Sequence, residues 1–305
     1  MLYLHSLDDA SAVFRALGTA TRIQIMQLIY ENPAMTMNEL ARELGITNSA
    51  VSMHVGKFQE AGLVTIETTT GRRGIAKIVR PAHNRLVVDM SPAPVKIDNC
   101  YQDDIKVGYY TRAQIQPVCG LATASGIIGE LNDPKVFSYP ERFDADILWL
   151  RSGSIRYNLP NRLKPGQTVS KLQFSFEISS KSAVGFGECP SDIYFSLNDV
   201  PIGKWTSPGD FGFRRGIISP LWWPSDLNQF GRLQSVVVGE TGTFTDGVRR
   251  ISDVTIHDLH IDSNTAINFT FTVPEDSANS GGLTIFGESF GDYSQNIRMR
   301  MYYEE

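Results

Sequence analysis

Cysteine is scarce: the 305 residues hold three, Cys100, Cys119 and Cys189, far apart and without a C-x-x-C pair. That spacing argues against a disulfide framework or a cysteine-built zinc site and fits a reducing, cytoplasmic compartment. No stretch approaches the ~20 apolar residues of a membrane-spanning helix, and the opening Met1-Leu-Tyr-Leu-His-Ser-Leu-Asp-Asp9 lacks a basic region followed by a long apolar core. Neither export nor insertion is predicted. There is no H-x-H cluster, no internal repeat and no low-complexity tract. His257 and His260 lie three apart on an expected strand and would face opposite sides unless a bulge intervenes; no metal site and no cofactor is predicted.

What is present is a folded chain, 42% hydrophobic and 20% charged, long enough for two packed domains. Its net charge of −5 is unevenly placed. Residues 1–95 carry nine basic against eight acidic groups, leaving nineteen against twenty-five for the remainder, so the acidity belongs to the second part. Between Thr47 and Arg80, Lys57, Arg72, Arg73, Lys77 and Arg80 face only Glu60 and Glu67, a local excess suited to phosphate contacts.

The hydrophobic period changes along the chain. Val13, Phe14 and Leu17 lie at helical spacing before Gly18; Ile23, Met26, Ile29 and Tyr30 form a second stripe. Thr36-Met-Asn-Glu39 matches a capping box whose helix ends at Gly45, and Thr47 can cap a further helix that turns Val51, Val55 and Phe58 inward. Leu63–Glu67 and Ile75–Val79 flank Gly71-Arg-Arg-Gly74, a hairpin signature with two arginines at its tip. Beyond residue 100 alternation takes over: Leu172, Phe174, Phe176 and Ile178 share a face, as do Ile267, Phe269, Phe271 and Val273, and then Ile297, Met299, Met301 and Tyr303. Shorter strands are expected at Ile193–Leu197, Leu233–Val238 and Val254–Ile261, the last with a bulge at His257-Asp258. The paired prolines of Ser91-Pro-Ala-Pro94 punctuate the change. The expected fold is α+β followed by all-β: a winged helix-turn-helix over 1–83, a linker over 84–98, and an antiparallel β-sandwich of jelly-roll type over 99–305.

Two short helices joined by Gly45-Ile46-Thr47 and followed by a basic-tipped hairpin are the parts of a DNA-reading module. Ala16-Leu-Gly-Thr-Ala-Thr-Arg-Ile-Gln-Ile-Met26 resembles the A-L-x-x-x-T-R-x-x-I-L signature of ArsR-type repressors, and residues Met37–Val64 resemble the same family's helix-turn-helix. The resemblance covers about the first eighty residues. It implies a transcriptional repressor bound to a double-stranded DNA operator, with the helix from Thr47 to Ala61 in the major groove. Thr47, Asn48, Ser49, Ser52, Met53, His54 and Lys57 are the candidate contacts on that helix, and Arg72 and Arg73 those of the wing. Metal-sensing relatives place cysteines in the helix before the turn, but Glu39–Leu44 has none, which argues against a thiolate sensor. Arg85–Pro94 is a poor candidate for the dimerisation helix that follows the wing in many relatives, although a homodimer is still expected.

For the β-domain the residues leave three roles open: sensing, assembly or catalysis. Trp205, Asp210, Arg214, Arg215, Trp222 and Trp223, in a Gly/Pro-rich stretch, combine stacking faces with charged groups in the manner of a sugar site, so a carbohydrate effector is the first expectation. Glu188, Asp192, Glu240 and Glu288 are the carboxylates a glycoside-active enzyme would pair, but no pairing is legible, and no enzyme is predicted.

Overall fold

The computed structural model describes residues 2–4, 6–71, 74–83, 86–88, 99–180, 189–209, 211 and 214–305. The chain forms two compact units, Met1–Val95 and Lys96–Glu305.

In the first unit, β1 (Leu2–Leu4) precedes four helices, α1 (Leu7–Leu17), α2 (Ala20–Glu31), α3 (Met37–Leu44) and α4 (Asn48–Glu60). Each helix opens on a hydroxyl cap, Ser6, Thr19, Thr36 and Thr47, that accepts from a first-turn backbone N–H otherwise without a partner. At Thr36 the capping box is complete, with Glu39 accepting in return from the Thr36 amide at 2.8 Å. These hydrogen bonds hold the Glu39 carboxyl below its ordinary range. Gly45 closes α3 at φ +65°, a left-handed conformation that favours glycine. The hairpin follows as β2 (Val64–Gly71) and β3 (Gly74–Pro81) in antiparallel register. Thr36 bridges Ile78, and Val79 N–H donates to Met35 at 3.0 Å, so the chain entering α3 joins the wing sheet.

Three expectations for this unit need correction. Phe14, Ile23 and Tyr30 are exposed, because α1 buries the smaller Ala10, Val13 and Ala16, and α2 buries Ile25, Met26 and Ile29. Leu86–Val88, placed in the linker by its sequence, is strand β4 and pairs in parallel with β1. Both strands are short, which is why alternation did not reveal them.

The second unit is one curled antiparallel sheet of thirteen strands, and its described residues include helical structure only as short 3₁₀ turns. Its strands are β5 (Cys100–Ile105), β6 (Arg112–Thr123), β7 (Gly126–Ile127), β8 (Ile147–Leu159), β9 (Thr168–Ser179), β10 (Ser191–Leu197) and β11 (Val200–Ser207). They continue as β12 (Arg232–Gly239), β13 (Gly242–Thr245), β14 (Arg249–Ser252), β15 (Ile267–Val273), β16 (Leu283–Phe286) and β17 (Ile297–Glu304). The main path runs β11-β10-β15-β8-β16-β9-β12-β13-β14; β6 and β7 branch from β8, and β17 and β5 from β9. The ends of the path meet: a Cβ on Gly203 of β11 would lie 2.8 Å from the Ile251 side chain of β14. The sheet is therefore nearly barrel-like. Tyr157, Phe174, Phe176, Phe195, Phe269 and Phe271, all fully buried, fill its interior with edge-on and tilted ring contacts.

Val254–Ile261 is not a bulged strand. Asp258 accepts from the Thr255 amide and hydroxyl at 2.8 and 2.6 Å, and a 3₁₀ turn follows at His257–Leu259. Its period of three brings Ile256 and Leu259 into the same core, which explains the shifted apolar parity.

One buried carboxyl group fastens loops to the sheet. Glu177 of β9 is fully buried and accepts from the backbone amides of Gly231 (2.7 Å), Asp292 (2.9 Å) and Tyr293 (2.8 Å). Asp292 in turn holds the Arg214 guanidinium in a two-pronged ion pair and accepts from Ile217 N–H at 3.1 Å. Burial pushes Glu177 up to about 8 against the opposing pull of those amides. Because that value lies above the unfolded one, the proton favours the fold, and the stabilisation present at low pH is lost as pH rises through about 8. Thermal unfolding of the full chain should therefore show the β unit weakening from about pH 5 to about pH 8 and levelling off above that. Glu177→Gln should flatten that dependence at lower overall stability; an unchanged profile in the variant refutes the assignment.

Candidate nucleic-acid interface

The period of α4 sorts its side chains. Val51, Val55 and Phe58 are fully buried, so Asn48, Ser49, Ser52, Met53 and Lys57 are exposed, Met53 by 60%. The Thr47 hydroxyl is engaged twice, accepting from Ala50 N–H at 3.2 Å and bonding the Ser49 hydroxyl at 2.9 Å, so it serves the helix first as a cap. Lys57 pairs with Glu60 at 2.8 Å in an exposed i,i+3 contact, an interaction worth at most about 1 kcal/mol and readily exchanged for a phosphate. His54 is half-buried and, with Met53 and Lys57, borders α1.

Arg72 and Arg73 lie outside the described residues. At the wing's base, Arg80 bonds Glu67 at 2.7 Å and the Pro33 carbonyl at 2.9 Å, so it braces the hairpin against the α2–α3 connection. Lys77 is exposed on β3. The charge count from Thr47 onward missed Arg15 and Arg22. Arg22 donates to the carbonyls of Ala16 and Arg15, each at 2.7 Å, and so closes the C-terminus of α1, where a cation is favoured by the helix dipole. The T-R pair of the signature already held that residue, but its capping role depends on the α1–α2 corner. Both arginines border a groove of about 540 Å³ between α1 and α4.

The described residues expected of a sugar site divide between the core and a surface loop. Trp205 is buried in the main core, whereas Trp223 is buried in a separate cluster with Trp149 and Phe290. The Trp223 indole N–H donates to Asn228 at 3.0 Å. Both tryptophans are packing residues here, because each faces inward on its segment. Asp210 lies outside the described residues. Arg214 is held by Asp292 and stacks over Phe230 at 3.8 Å, and Arg215 bonds the Pro220 carbonyl. Trp222, 38% exposed, donates to Ala124 at 2.7 Å. Among the carboxylates, Glu188 lies outside the described residues and Asp192 is buried against Lys204 at 3.1 Å. Burial raises Asp192, but the hydrogen bonds from Thr206 and Lys204 prevail and hold its pKa low. Glu288 accepts from Asn296 at 2.9 Å, and Glu240 is exposed at the turn after β12.

No curated protein matches the chain. Similar solved structures include the mosquito-larvicidal Cry4Aa toxin from Bacillus thuringiensis, at 8% identity over 54% of this chain and 20% of that one, with a TM-score of 0.24. Winged bean acidic lectin complexed with methyl-α-D-galactose aligns at 12% identity over 69% and 95%, again at 0.24. The secreted serine protease VesC from Vibrio cholerae aligns at 13% identity over 73% and 32%, at 0.19. The chain thus spans a fifth of the toxin's length, and likenesses at these scores carry no argument. Residues 19–65, which make up α2, α3, α4 and the start of β2, match the family described as winged helix-turn-helix DNA-binding.

Proposed function

We propose that the chain is a sequence-specific transcriptional regulator, a repressor working in the cytoplasm as a homodimer on double-stranded DNA. The observation that carries this reading is the exposed polar stripe of α4 on the segment matched by a DNA-binding family. Entering the major groove by its N-terminus, α4 would offer the Asn48 amide to an adenine edge and the Ser49 and Ser52 hydroxyls to bases or phosphates. Lys57 and the wing arginines would neutralise backbone phosphates, and release of counterions would make affinity fall steeply with salt. A single helix spans too few base pairs for operator specificity, so two copies would read half-sites about one helical turn apart.

For the β unit we infer assembly over sugar sensing. Trp205 and Trp223 are buried, whereas the loop that follows Arg215 presents Ile217 (55% exposed), Leu221 (91%) and Trp222 to solvent. Exposed apolar side chains close together in one loop fit a protein contact.

Two outcomes follow. On a duplex selected from a random library, Lys57→Ala should lower the slope of log affinity against log salt by about 1.8, one phosphate contact in each of two copies, and Arg72→Ala/Arg73→Ala by about twice that. Asn48→Ala should relax preference at one base pair by ~1–3 kcal/mol. Slopes equal to the parent's would remove Lys57 and the wing from the interface. In sedimentation, the full chain should be dimeric and Ile217→Asp/Leu221→Asp monomeric; a dimer that survives the double substitution refutes assembly through that loop.

A further inference from the structure

Four contacts tie the hairpin to residues 30–36, the corner between α2 and α3. Val79 N–H donates to the Met35 carbonyl at 3.0 Å, and Thr36 bridges Ile78. The Tyr30 hydroxyl donates to the His83 carbonyl. Arg80 supplies the fourth: Nη1 donates to the Pro33 carbonyl at 2.9 Å while Nε holds Glu67 of the opposite strand at 2.7 Å. One guanidinium thus joins β2, β3 and the corner, and that same corner caps α3 through Thr36. Beyond this brace the hairpin continues for the four residue pairs from Thr68–Lys77 to Gly71–Gly74. At ~3.3 Å per residue they form a lever of about 13 Å, so a rotation of about 15° at its base shifts its end by roughly 3 Å. A shift of that size breaks a hydrogen bond.

Arg80 is a partly exposed cation, and composition alone groups it with phosphate-binding residues. Its geometry argues otherwise, because two of its nitrogens are committed to acceptors within the protein and one of those acceptors is an anion. We propose that Arg80 is a positioning residue for DNA recognition: with Glu67 and the Pro33 carbonyl it fixes the angle of the wing relative to α3 and α4, so that hairpin and helix meet one duplex together. This role rests on the regulator reading above. It reverses the effect expected of Glu67. An acid beside a DNA-binding hairpin repels phosphate, so its removal raises affinity unless the acid holds a group that the complex needs in place. Lysine at position 80 keeps the charge, but a point donor on a flexible stem cannot reproduce the fork between Glu67 and Pro33.

Affinity of the full chain for the selected duplex, at one salt concentration and with circular dichroism to verify folding, tests the assignment. Glu67→Gln and Arg80→Lys should each weaken binding about three- to fivefold, the range open to an exposed brace, although one removes an anion and the other keeps the cation. In a chain already carrying Arg72→Ala/Arg73→Ala, the same two substitutions should change affinity less than about 1.5-fold, because no wing contact remains to be positioned. Tighter binding by Glu67→Gln, parental affinity in both variants, or a loss that persists in full without the wing arginines overturns the assignment. So does parental affinity of Arg72→Ala/Arg73→Ala itself. Failure of the regulator reading is distinct, since the parent chain would then select no duplex.

Discussion

A helix can direct only one face inward, and in α4 the burial of Val51, Val55 and Phe58 determines where every other side chain on its thirteen residues points. With those three side chains in the core, Asn48, Ser49, Ser52 and Met53 have no alternative to solvent. Removing the Phe58 ring would cost ~3–5 kcal/mol and release the helix from the orientation on which its outward chemistry depends. The Thr47 cap and the left-handed Gly45 fix the start of α4 relative to α3, so the stripe is placed as well as oriented. His54 sits at the border between the two faces and is half-buried.

Alternation plays the same part in the β unit, with one departure. On β9 the even-numbered Leu172, Phe174, Phe176 and Ile178 fill the sheet's interior, but Glu177 and Ser179 on the opposite face are also fully buried. The loops that cover them meet a polar surface, so they are fastened by hydrogen bonds and an ion pair through Glu177, Asp292 and Arg214. Asn228 adds bonds to Ser179 and Thr284 at 3.0 Å each. A largely buried network of hydrogen bonds of this kind favours one loop arrangement, because others would break bonds to buried polar atoms.

Features that rest on local period were legible in the sequence: the capping box at Thr36, the inward stripe of α4, the hairpin between Gly71 and Gly74, and the alternating strands β9, β15 and β17. Features decided by tertiary contact were not. Phe14 and Ile23 have the hydrophobicity of core residues, yet α1 and α2 pack through Ala10, Ala16 and Ile25. Trp205 and Trp223 carry the same composition whether they line a cleft or a core, and only the fold around them decides. A 3₁₀ turn at His257–Leu259 imitates a bulged strand because both place apolar residues at a spacing of three. The Arg80 brace draws on β2, β3 and the α2–α3 corner at once, and no short window along the chain contains all three.

The central claim is that the outward face of α4 meets DNA. It is tested most directly by photo-crosslinking the full chain to a selected duplex carrying 5-iodouracil, followed by tryptic digestion. The adduct is predicted on the peptide Glu43–Lys57, which holds the entire stripe between two cleavage sites. Adducts found only on peptides beyond residue 99, or a selection that enriches no duplex, would contradict the account.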